Sequence, residues 1–172
     1  MRFYLIKKGN HYASMSIFEK VGAIGWKINT LSMRFVFRKE CWWAPPRNQD
    51  DYDLNKLAGI GFGINHHNNF VRLAWIPDFG NPGMINVYGY TYDEKKEGQK
   101  FTSTFLKSVH VQDTITGKIE SKDGIYFITV NDVTIRMDNV NADPNLCFRL
   151  FPYFGGNNTA PNDMVIELEM NG

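Results

Sequence analysis

Ile115-Thr116-Gly117-Lys118-Ile119-Glu120-Ser121-Lys122-Asp123-Gly124-Ile125-Tyr126-Phe127-Ile128-Thr129-Val130-Asn131-Asp132-Val133-Thr134-Ile135-Arg136-Met137 decides the fold class. Its apolar residues recur with a period near two, which suits strands and excludes an amphipathic helix. The stretch predicts strands over 115–120, 125–130 and 133–137. A turn at Ser121–Gly124 and a tighter one at Asn131-Asp132 separate them. Asn and Asp tolerate the left-handed backbone that a two-residue hairpin requires.

The same period runs outward in both directions. Further strands are predicted over 2–6, 32–43, 57–64, 70–76, 85–92, 146–151 and 164–170, and over 101–105 and 108–112 as two strands or one bent strand. Met33, Phe35 and Phe37 share one face, and Pro45-Pro46 stop their strand because proline cannot donate to the ladder. Ser16–Lys20 reads as a short helical turn or an edge segment. In the 57–64 strand, Gly59, Gly61 and Gly63 take one face and Ile60, Phe62 and Ile64 the other. A glycine face weakens a strand unless something must approach its backbone closely. Turn signals every ~8–12 residues predict an all-β, two-sheet antiparallel sandwich. It forms a single domain over residues 1–172, with the first and last strands paired.

The chain has 172 residues, with 19 basic and 18 acidic side chains and a net charge of +1. That balance argues against nucleic acid and against a membrane surface as partner. The apolar run at Phe3–Ile6 is too short for a signal-peptide core, so the chain is expected in the cytoplasm where it is made, or in a virion. No stretch approaches the ~20 apolar residues of a membrane span. Cys41 and Cys147 read as buried free thiols. Asn157-Asn158-Thr159 matches a glycosylation acceptor by chance, given that expectation.

Asp123–Val133 resembles a hairpin of the concanavalin A-like jelly rolls, the superfamily of legume lectins, laminarinases and alginate lyases. Leu150–Pro161, taken with Asn65-His66-His67-Asn68-Asn69, resembles small uncharacterised proteins of Bacteroidota and their phages, which carry His where this chain has Asn162. The resemblance spans roughly residues 54–170 and implies a concanavalin A-like jelly roll. It carries no established activity, since fold does not settle function.

Chemistry is harder to read. Laminarinase-like sites carry Glu-x-Asp-x-x-Glu on one strand, and alginate lyases carry Gln-x-His and Arg-x-Glu-x-Arg strands; this chain has none of them. Glu167 and Glu169 share a face but read as a solvated sheet surface. His66 and His67 point apart on an extended chain, so no metal site and no other cofactor is expected. Binding candidates are aromatic and amide-rich: Trp42, Trp43, His67, Arg72, Trp75, Tyr88, Tyr90, Asn157 and Asn158. Sugars stack on such rings, but core packing explains most aromatics of this kind. Arg72 and Trp75 differ by an odd number of residues, so only one of them can join Tyr88 and Tyr90. Trp42 and Trp43 split across two faces, which leaves one indole exposed or in an interface. Asn157 and Asn158 lie in a Gly- and Asn-rich loop that either holds a fixed shape or meets a partner. With no catalytic motif, the expectation is a non-catalytic virion component that decorates a capsid, with capsid or other virion proteins as partners. A carbohydrate-binding module or lectin that takes a glycan stands second. A degenerate polysaccharide lyase or hydrolase stands third.

Overall fold

The computed structural model describes residues 1–15, 24–25, 28–44, 46, 48–63, 67–137 and 146–172. The segment Ser16–Lys20, Pro45, Ile64 and His66 lie outside the described residues. Twelve strands follow in order: β1 (Arg2–Ile6), β2 (Ile24–Gly25), β3 (Thr30–Phe37), β4 (Asn55–Phe62), β5 (Asn69–Pro77), β6 (Met84–Asp93), β7 (Phe101–His110), β8 (Ile115–Lys122), β9 (Ile125–Val130), β10 (Val133–Met137), β11 (Cys147–Leu150) and β12 (Met164–Asn171).

They form two antiparallel six-stranded sheets. The first has the order β1-β12-β3-β8-β9-β10, the second β2-β11-β4-β5-β6-β7. The 115–137 stretch supplies the β8-β9-β10 meander, with Asp123 and Asn131 at φ +52° in its two turns. β1 pairs with β12, so the two ends of the chain lie side by side as expected. This is the predicted two-sheet jelly-roll sandwich.

Strand alternation sends Leu31, Met33, Phe35 and Phe37 from the first sheet toward Leu57, Ile60, Leu73 and Trp75 of the second. Each such side chain contributes ~1.5–3 kcal/mol by leaving water. At Gly89 the facing sheet leaves no room for a side chain, since an added Cβ would lie 2.7 Å from Ile135 Cδ1.

One predicted boundary shifts. The strand at 32–43 ends at Phe37, and Lys39–Cys41 turns as a short 3-10 helix. Cys41 is therefore buried in that turn rather than on a strand, while Cys147 is buried on β11; both are free thiols. The segments 101–105 and 108–112 form one strand, β7, whose register slips opposite Val87 and Tyr88.

Candidate functional site

The glycine face of β4 explains the site. Gly59 pairs with Arg72 on β5 and Leu150 on β11, and Gly61 pairs with Phe70 and Phe148 on the same two strands. A Cβ at Gly59 would sit 2.2 Å from Arg72 Cβ and 2.3 Å from the Val71 carbonyl oxygen, so only glycine lets β5 run this close. A cleft opens beside this close approach, on the outer face of the second sheet. It has a volume of about 640 Å³ and is lined by Lys56, His67, Phe70, Arg72, Phe148 and Tyr153, among others.

Arg72 is 6% exposed. Its Nη2 donates to the Phe151 carbonyl at 2.9 Å, its guanidinium lies 5.4 Å from the Phe70 ring centre, and its Nε has no partner. Among the described residues, no carboxylate pairs with it. Burial pushes its pKa down to about 9, which still leaves it charged at neutral pH.

Lys56 stands beside it. Its backbone exchanges two hydrogen bonds with Tyr153, Lys56 N to Tyr153 O at 2.8 Å and Tyr153 N to Lys56 O at 2.9 Å. Its Nζ donates to the Gly155 carbonyl at 2.8 Å and lies 5.7 Å from the Tyr90 ring centre and 5.8 Å from that of Tyr153. Burial first, then the Arg72 charge, pushes Lys56 down to about 8, with Asp53 opposing. Burial raises both Tyr90 and Tyr153. Tyr153 is fixed by His11, stacked at 5.3 Å, and by Tyr12, edge-on at 5.0 Å. The arrangement can bind an anion, stack a ring and move a proton.

The expected site residues divide. Arg72 and the exposed His67 line the cleft, and Tyr90 borders it against Phe70, 5.6 Å between ring centres. Tyr88 lies farther along the same outer face, edge-on to Phe105. Trp75 points the other way into the core and is fully buried, as the odd spacing from Arg72 requires. Trp42 and Trp43 do not split into one buried and one exposed indole, because the 3-10 turn replaces the strand before them. Trp42 is half-buried and donates to the Asp78 carbonyl at 3.1 Å; Trp43 packs on Trp75, Phe79 and Phe154. Asn158 donates to Asn48 Oδ1 and Asp51 Oδ1, both at 2.7 Å, so it pins the closing loop; Asn157 is exposed. Glu167 is engaged in an ion pair with Arg38 on the opposite sheet. Among the described residues, no three His, Cys, Asp or Glu side chains gather as a metal site.

Sequence reasoning missed Lys56 and Tyr153. Lys56 leads into the glycine face of β4, and Tyr153 pairs with it from the loop after β11.

No family model matches the chain, and no curated protein does. Solved structures do. An alginate lyase from Klebsiella pneumoniae superposes with a TM-score of 0.60 at 13% identity, over 83% of this chain and 59% of its own. The alginate lyase AlyC3 gives 0.62 at 10% identity, over 98% and 74%. Alginate lyase PA1167 from Pseudomonas aeruginosa gives 0.54 at 13% identity, over 85% and 67%. The chain thus spans about three-fifths of the length of the Klebsiella enzyme. These likenesses establish the jelly-roll fold.

They also correct an expectation. The neighbours in the fold are enzymes, not virion proteins, which overturns the reading of a non-catalytic capsid-decorating component. Lys56, Arg72, Tyr90 and Tyr153 come from β4, β5, β6 and the loop after β11, so no short motif holds these four together.

Proposed function

We propose that the cleft binds an acidic polysaccharide and cleaves it by β-elimination, as a lyase acting on uronate chains of the alginate kind. The observation that carries this is Arg72, a buried cation that has no carboxylate partner among the described residues and lines an open cleft. Buried charges are normally paired, because an isolated one is costly to desolvate. A uronate brings the missing carboxylate as part of the substrate. Held on Arg72, that carboxylate can accept the negative charge that develops when the neighbouring carbon loses its proton. The Tyr90 and Tyr153 rings and the Lys56 amine flank the same space and supply proton-bearing groups. The alginate lyase identity of the fold's neighbours supports the same reaction class.

The test is turnover. The protein is incubated with alginate, polygalacturonate, hyaluronan and neutral laminarin, and the ultraviolet absorbance of the new C4=C5 double bond is followed. Product is expected from at least one polyuronate and none from laminarin. Binding without product, or no interaction with any polyuronate, would refute the lyase.

A further inference from the structure

Resting on the lyase reading, we infer that Lys56 is the general base of this site, with a tyrosine as its acid partner. The placement argues for it. The Lys56 amine lies between the rings of Tyr90 and Tyr153, at 5.7 and 5.8 Å from their centres, on the same cleft wall as the anion-binding Arg72. Its only hydrogen-bond acceptor among the described residues is the Gly155 carbonyl.

The other proton-bearing groups suit the role less well. Both tyrosines are raised by burial, so they hold their protons at neutral pH and serve as acids. His11 is engaged, its Nδ1 2.9 Å from the Phe154 carbonyl oxygen and its ring on Tyr153. His67 is exposed at the rim. Among the described residues, Arg149, His67 and Tyr12 share the cleft with Lys56, and the groups that act on its charge are few. Arg72 on β5 disfavours its charge, Asp53 before β4 favours it, and the phenols of Tyr90 and Tyr153 are neutral. The amine is pushed down to about 8, so a useful fraction is neutral in mildly alkaline solution.

The step balances. The Lys56 Nζ lone pair takes the C5 proton. The C5–H electron pair becomes the C4=C5 π bond, and the C4–O bond breaks with its electrons going to oxygen. That oxygen takes a proton from the Tyr90 or Tyr153 hydroxyl. Lys56 then returns its proton to the phenolate, and both groups are reset.

The experiment compares wild type, Lys56→Arg and Lys56→Cys, the last before and after aminoethylation with bromoethylamine. The buried Cys41 and Cys147 serve as internal controls for selective labelling. Arginine keeps the cation but cannot accept a proton. Lys56→Arg is expected to keep KM within a few-fold and lose about 10²–10⁴ in kcat, the range a general base supplies. The wild-type kcat/KM should fall on the acid side with a midpoint near 8. Aminoethylated Lys56→Cys should regain turnover with that midpoint moved to lower pH, because the thioether makes its amine more acidic. A merely structural lysine would not move it. A midpoint near 6.5, the ordinary histidine value, would overturn the assignment. So would a Lys56→Arg protein with near wild-type kcat. A wild type that yields no product from any polyuronate overturns the lyase reading itself, and this inference with it.

Discussion

Replacing Arg72 by Met should stabilise the protein while abolishing its action on polyuronates. Arg72 is 6% exposed, and burial pushes it down to about 9. At about 1.4 kcal/mol for each pH unit, keeping it charged at pH 7 costs roughly 5 kcal/mol. Its hydrogen bond to the Phe151 carbonyl, at 2.9 Å, offsets about 1.5–3 kcal/mol of that. Methionine fills the space of the aliphatic stem against Phe70 without carrying charge. The net gain is therefore about 2 kcal/mol. For a chain of this size each kcal/mol moves Tm by about 2–4 °C, so Arg72→Met should melt roughly 4–8 °C higher. The sign follows from the cation's lowered pKa. The cost of Arg72 is fully present below about pH 9 and is relieved as pH rises past it, so the variant's advantage should shrink in alkaline buffer. Differential scanning calorimetry at pH 7 and pH 10 reads both effects. A lower Tm at pH 7 would refute the reasoning, because it would make Arg72 a structural tie to Phe151 rather than a charge kept for a ligand.

Lys56→Met should show a parallel trend: wild type gains stability relative to the variant as pH rises from about 8 toward 10, since the unfolded chain still holds a proton that the folded one has released; urea titrations at the two pH values check it. Gly59→Ala forces a Cβ to 2.2 Å from Arg72 Cβ and 2.3 Å from a backbone oxygen, so it should cost about 3 kcal/mol or more, read as a drop in the urea midpoint. Cys41 and Cys147 should resist thiol reagents until urea unfolds the chain, because both are buried and burial pushes the Cys41 thiol far up; labelling within the mixing time would contradict their placement.

The sandwich was legible because period-two patterning and turn residues are local signals. The 115–137 meander needs nothing distant to be read, and its strands appear where the pattern puts them. The end of the strand before Trp42 was not legible because the 3-10 turn at Lys39–Cys41 depends on tertiary contacts, including the Cys41 thiol donating to the Val165 carbonyl at 3.2 Å. The site was half legible. Parity alone separates Arg72 from Trp75, and a glycine face announces a close approach. What it could not announce is that Tyr153, 97 residues from Lys56, folds back to pair with it. Motif reasoning looks for chemistry within a few residues, and this cleft collects its groups across the whole second sheet.

Arg72 should receive a uronate carboxylate, and a crystal structure of the Lys56→Arg protein with a tetrauronate would show the contact itself. A sugar is expected in the cleft between Phe70 and Phe148, with a carboxylate oxygen about 2.7–2.9 Å from an Arg72 nitrogen. An oligosaccharide seated elsewhere, or one whose carboxylates all point away from Arg72, would contradict it.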